Sequence, residues 1–402
     1  MVQQRDISPA SVVDAFVDVV GGRLWARRIA QISRDVSVGS HASRAVTQRH
    51  AIEITLERLR RHGLNRPLTV GETALLRLAG ETTRVLARLP RTGRERMRLM
   101  LRAGLADSGT LVPIFHLIRT AMLQRARGFD IQFAVFEEAA PFDLMLARDG
   151  IEAELACDVV SAEAGRDVPR GAWVNLVDRI DPDLQTWLAN HPGRYLLKMT
   201  LPQGLKTDAD GQPSLAALHD RIRTMLQGQR RADHDEAAVL RLDPLMLAAA
   251  QADTLGIMSN LRREFGDEAH LAVTSAGSGV FVMAARAGRE NEVAGAVRRR
   301  MAAIAPTRLT GTRPGILAMF VEDTDRAEWR HLRDRLELEG EARQFLTCPE
   351  ARVVVAVTCA SRMELLGGAP PDAASDGELR FRNPSHPAAK TTALAPAVLS
   401  SV

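Results

Sequence analysis

Lysine is nearly missing from this chain. It stands only at Lys198, Lys206 and Lys390, so that of 53 basic residues 50 are arginine. Arginine keeps its proton and rarely substitutes for a catalytic lysine, so chemistry that needs an adjustable ammonium has few places to occur. Aromatic residues are also scarce: 11 Phe, 4 Trp and a single Tyr among 402 residues. That scarcity weakens any base-stacking platform for single-stranded nucleic acid. The three cysteines, Cys157, Cys348 and Cys359, are odd in number and far apart, which supports neither a disulfide framework nor a four-ligand zinc site. No apolar run approaches the roughly 18 to 20 residues of a membrane span, and the opening Met1-Val2-Gln3-Gln4-Arg5-Asp6 has no apolar signal core. A cytoplasmic protein with no membrane partner is expected.

What is present is ordinary in bulk and uneven in distribution. With 46% hydrophobic and 25% charged residues the composition is globular, and the length allows two or three domains. Residues 1–128 hold 22 Arg against 10 Asp or Glu, a formal +12, while residues 129–402 are net −8. The basic excess therefore sits in the first third. Apolar residues there recur at three and four spacing (Val12, Val13, Phe16, Val19, Val20; Leu56, Leu59; Leu75, Leu76, Leu78; Leu111 to Met122), which predicts helices.

From Phe129 the pattern changes to short apolar runs and alternation. Strands are expected over 129–136, 142–146, 151–160, 195–201, 238–242, 271–274, 280–284, 316–321 and 353–357, with helices at about 214–228, 244–264, 290–304 and 325–336. This is mixed α/β order. Beyond about residue 366 the chain turns rich in Pro, Ala, Ser and Asp and reads as a disordered tail. The expected domains are an Arg-rich helical domain over 1–128, an α/β region over 129–365 and the tail over 366–402.

The segment from Pro141 to Arg166 reads as strand, Gly turn, strand and polar exit. Period-two alternation puts Glu152, Glu154, Ala156 and Asp158 on one side of the second strand, with Ala153, Leu155, Cys157 and Val159 on the other. Acidic residues are poor strand formers, and three on one face repel each other unless a cation or a basic neighbour offsets them. Asp143, in Phe142-Asp143-Leu144, stands on the preceding strand. This arrangement resembles the PD-(D/E)xK superfamily, the restriction-endonuclease-like fold. There an Asp on one strand is followed about a dozen residues later by Glu-x-Lys on the next.

The resemblance covers roughly residues 129–200 and implies a metal-dependent phosphodiester hydrolase. Carboxylates at Asp143, Glu154 and Asp158 would hold Mg²⁺ or Mn²⁺, which activates water and neutralises developing phosphate charge. Two registers are open for the second half of the motif. If Glu154 is the motif Glu, Ala156 stands where Lys belongs; if Ala156-Cys157-Asp158 is aligned instead, Glu has become Ala and Lys has become Asp. Neither keeps the lysine. Lys198 is a candidate substitute from a neighbouring strand, although a solvent-facing strand lysine is the plainer reading.

Arg166 and Arg170, after the acidic strand, and Arg91, Arg94, Arg96 and Arg98, in one run, are candidate phosphate contacts. In so Arg-rich a chain a solvated helix face accounts for the second group equally well. Ser275-Ala276-Gly277-Ser278-Gly279 lacks the Gly-Lys-Ser/Thr ending of a phosphate loop and reads as a hairpin turn. His219 and His234 have no zinc-ligand spacing. Two functions follow as expectations: a nucleic-acid-associated protein, on DNA or else RNA, with a nuclease-like core that is catalytically impaired or inactive; or a non-catalytic protein-interaction or scaffold protein that does not bind nucleic acid.

Overall fold

The computed structural model describes residues 8–36, 41–61, 66–107, 109–205, 215–245, 261–262, 265–266 and 269–401. The chain divides into two compact units, one of Met1–Arg34, Thr47–Ala162 and Ala294–Val402, the other of Asp35–Val46 and Glu163–Val293. No described helix is long and apolar enough to cross a membrane. The expected helix near 244–264 falls mostly outside the described residues, as does Lys206.

The N-terminal part is helical, as its periodicity predicts: α1 (Pro9–Val20), α2 (Gly22–Val36), α3 (His41–Arg49), α4 (Ala51–Arg61), α5 (Val70–Arg88), α6 (Arg91–Gly104) and α7 (Val112–Ala126). Local chemistry sets their starts. Ser8 caps α1 by accepting from the Ser11 N–H ahead of Pro9, and Thr69 with Glu72 forms a reciprocal capping box on α5.

In the first unit α1, α2 and α4 to α7 share one core with a six-stranded sheet. Val13, Phe16, Trp25, Leu56 and Phe115 belong to the same buried cluster as Leu144, Leu155, Ile316, Val355 and Leu394. The helical part is thus not a separate domain ending at residue 128. Helix α7, apolar on nearly every face, is buried at Val112, Ile114, Phe115, Leu117 and Ile118, which is why it lies inside the unit.

The sheet runs β1 (Asp130–Gln132), β2 (Leu144–Arg148), β3 (Ile151–Ser161), β9 (Gly315–Glu322), β10 (Val354–Ser361), β11 (Leu379–Arg382). The β1–β2–β3 meander is antiparallel, β3, β9 and β10 are mutually parallel, and β11 returns antiparallel on β10. The two-residue turn between β2 and β3 is Asp149-Gly150, both at positive φ (50° and 77°), as a type I′ hairpin requires. The expected strand over 129–136 breaks after Gln132, and Ala134–Glu137 forms a short helix, α8.

Residues 366–401 are ordered, contrary to the tail expected from their composition. Leu379–Arg382 pairs with β10, and Ala393, Leu394, Ala397 and Val398 are buried. The outer edge of β11 is covered by the chain itself, since the Arg380 N–H donates to the Ser401 hydroxyl and the Arg382 N–H to that of Ser400. Alanine buries little area per residue, so composition understates what such a segment contributes once one Leu and one Val anchor it.

The second unit is built on a five-stranded sheet ordered β5 (Ala232–His234), β6 (Val239–Pro244), β4 (Arg194–Leu201), β8 (Gly279–Ala287), β7 (His270–Ala276). Only β4 and β8 are parallel. Helices α9 (Arg170–Asn190) and α10 (Leu215–Gln227) bury Trp173, Leu176 and Ile222 with Leu197 and Phe281 of the sheet.

Candidate functional site

The acidic face expected on β3 exists, and its geometry follows from the hairpin. Leu144 pairs with Leu155, so Asp143, one residue earlier, falls opposite Ala156 and on the same face as Glu154 and Asp158. The opposite face, Ala153, Leu155 and Cys157, enters the core of the first unit. Two later segments meet the acidic face: α11 (Val293–Arg308) and the loop 309–314 that leads into β9.

Each carboxylate is occupied. Asp143 Oδ2 accepts from the Cys157 N–H at 2.7 Å and from Arg308 Nη2 at 2.7 Å. Burial pushes the Asp143 carboxyl up to about 6, with the Arg308 guanidinium and the Cys157 N–H opposing the rise. Asp158 is gripped by Arg300, whose Nη2 lies 3.0 Å from Oδ1 while Nε donates to Oδ2. That bond raises the arginine's own pKa further. Glu154 is fully buried; its Oε2 accepts from the Thr310 N–H at 2.8 Å, and its Oε1 accepts from the Thr310 hydroxyl and from Thr312 Oγ1 at 3.3 Å. Glu152 pairs with Arg313 at 2.7 Å.

Repulsion among acids on one strand face is therefore offset by arginines of the same unit. Arg300, Arg308 and Arg313 were missed in the sequence because they stand some 140 to 165 positions from their partners. The run Arg298-Arg299-Arg300 was the one visible sign of them.

These carboxylates do not fit a divalent cation. Mg²⁺ needs free carboxylate oxygens and room for its waters, whereas the oxygens of Glu154 and Asp158 already accept from donors of the unit, and Asp143 Oδ2 accepts two. Among the described residues no group of three His, Cys, Asp or Glu side chains is disposed to hold a metal.

The other expected site residues scatter. Lys198 lies on β4 of the second unit, where its ammonium is 3.5 Å from Asp243 and 5.4 Å from the Phe265 ring centroid. Its ammonium is thus engaged within the second unit, whereas the hairpin belongs to the first. Arg166 is buried and donates to Glu163, a contact within the second unit. The Arg170 N–H donates to the same carboxylate at 2.6 Å. His219 pairs with Asp183 at 2.8 Å.

In α6, Arg96 turns inward to the Phe136 carbonyl at 2.6 Å, and Arg91 makes a loose pair with Glu95 at 3.4 Å. Arg94, Arg98 and Arg102 follow one another at four-residue steps on one side of the helix, with Arg98 and Arg102 exposed, Arg94 half-buried, and no ion-pair partner for the three among the described residues. Arg102 extends the stripe beyond the residues picked from sequence.

Comparison of the chain with protein-family models, curated proteins and solved structures finds no match.

Proposed function

We propose that this chain is a nucleic-acid-associated protein, on DNA in the first place and RNA in the second, whose nuclease-like hairpin has lost its chemistry. The observation that carries the reading is the occupation of the acidic face by its own unit: Asp143 by Arg308, Asp158 by Arg300 and Glu154 by Thr310. Pairing through Leu144 and Leu155 favours the register in which Asp158 replaces the motif lysine. An aspartate tied to an arginine can neither position nor deprotonate a nucleophilic water as that lysine would. The arginine stripe on α6 supplies the electrostatic side of the reading, because polyanion binding needs cations that the fold has not already neutralised.

The test is incubation of the full-length protein with supercoiled and linear duplex DNA, single-stranded DNA and RNA in Mg²⁺ or Mn²⁺. No cleavage above buffer is expected. Metal-dependent cleavage that disappears in Asp143→Ala would overturn the reading.

A second reading, a non-catalytic interaction or scaffold protein indifferent to nucleic acid, is favoured by one further observation. Arg58 and Arg66 pair with Glu72, Arg60 and Arg61 with Glu57, and Arg84 and Arg125 with Glu81. Much of the N-terminal positive charge thus serves the fold. Salt-dependent binding to duplex separates the two readings.

A further inference from the structure

A row of exposed arginines can meet two kinds of nucleic acid, a double helix or a single strand, and the rest of the fold decides between them. Arg94, Arg98 and Arg102 stand at four-residue steps on α6, so the stripe spans about 12 Å of helix axis. The one acid of that helix, Glu95, pairs with Arg91, which leaves the stripe positive along its length. Over about 12 Å a duplex presents roughly seven phosphate charges, and one of its strands about half as many.

Counterion release sets the size of that advantage. Each neutralised phosphate contributes a salt slope of about 0.9 on a duplex and about 0.7 on a single strand, so three contacts favour the duplex about fourfold near 0.1 M salt. Stacking can reverse so small a preference, because one base laid on an aromatic ring is worth about fivefold to more than a hundredfold. The sign therefore depends on whether aromatic rings are accessible.

The nine Phe and two Trp of the first unit are all 4% exposed or less. In the second unit Trp173 and Phe281 are buried as well. The three half-buried rings each have a neighbour on them: Trp187 is stacked on His191 with centroids 4.6 Å apart and meets Tyr195 edge-on at 4.7 Å, and Phe265 lies 5.4 Å from the Lys198 ammonium. No ring of the first unit is open to a base, so nothing beside the stripe makes up for the lower charge density of a single strand.

We infer that the partner of the α6 stripe is double-helical nucleic acid held through its phosphates, and that single strands bind more weakly. The inference rests on the nucleic-acid reading above and narrows it to one substrate class.

The experiment is anisotropy titration of the full-length protein with a labelled duplex of about 24 base pairs and, separately, with labelled oligothymidylate of the same length, at about 100 mM salt. The duplex is expected to bind about fourfold tighter or more, with the steeper salt dependence. Arg98→Glu, at an exposed position, should weaken the duplex about tenfold or more, and Arg102→Glu, one turn further on, should do the same. Thermal melts check that both variants are folded. A single strand that binds as tightly as the duplex overturns the inference and leaves the nucleic-acid reading standing, whereas absence of salt-sensitive binding to either probe overturns both. Folded variants that bind the duplex as the wild type does also overturn the inference, since α6 is then not the contact.

Discussion

Arg308, the last residue of α11, donates from Nη2 to the carboxylate of Asp143 at 2.7 Å, placing a permanent cation where the nuclease resemblance asks for a metal. Asp143 is 5% exposed, so the pair is largely shielded from water. Removing one partner of such a pair leaves the other desolvated. Arg308→Met is expected to cost about 1 to 3 kcal/mol of stability in urea unfolding. In a double-mutant cycle the loss should shrink once Asp143→Asn is also present. An unchanged midpoint in Arg308→Met would mean that the pair contributes nothing.

Asp143 also gives a pH signature. Its folded-state carboxyl is raised to about 6, above the ordinary value near 3.9. A raised pKa means a contribution fully present below about pH 4 and lost as pH rises through 6. Relative to Asp143→Asn, the wild type should lose up to about 3 kcal/mol between pH 4 and 6 and stay level above. Melts across that range check this, and a difference that does not vary with pH counts against it.

His116 carries the opposite sign. Its ring is buried, Nε2 lies 2.9 Å from the Ala318 carbonyl, and burial lowers its pKa to about 4. Its contribution is present above the unfolded value near 6.5 and is lost as pH falls from there towards 4. His116→Gln should flatten the acid limb of the stability profile in that window. A profile as steep as wild type would rule the residue out as the source.

The described strands after β1 start within two residues of the sequence expectation for those foreseen, while their ends run up to four residues further, because short apolar runs and period-two alternation survive in a half-buried sheet. The acidic face was legible for the same reason: Glu152, Glu154 and Asp158 alternate with residues that enter the core. What closes that face was not legible. The partners of Asp143 and Asp158 arrive from α11, after the whole of Glu163–Val293 intervenes, and no local period links Arg300 or Arg308 to β3. The C-terminal segment failed for a different reason, since composition carries no trace of a four-residue edge strand and a few anchoring apolar side chains.

That segment yields its own prediction. Leu394 is fully buried in the common core of the first unit. Leu394→Ala should therefore cost about 2 to 5 kcal/mol, as a core leucine does, and not the few tenths typical of a tail. Chemical unfolding monitored by tryptophan fluorescence distinguishes the two.

The central claim is association with nucleic acid through cations that the fold leaves free, above all Arg94, Arg98 and Arg102. Its most direct test is fluorescence anisotropy of a labelled duplex with full-length protein and with the Arg94→Ala, Arg98→Ala, Arg102→Ala triple variant, at about 50 and 200 mM salt. The account predicts binding that weakens steeply with salt and little sequence preference. It also predicts that the triple variant lowers the slope of log affinity against log salt by up to about 3. Absence of salt-sensitive binding to duplex DNA or RNA, or a variant with the wild-type slope, would contradict it.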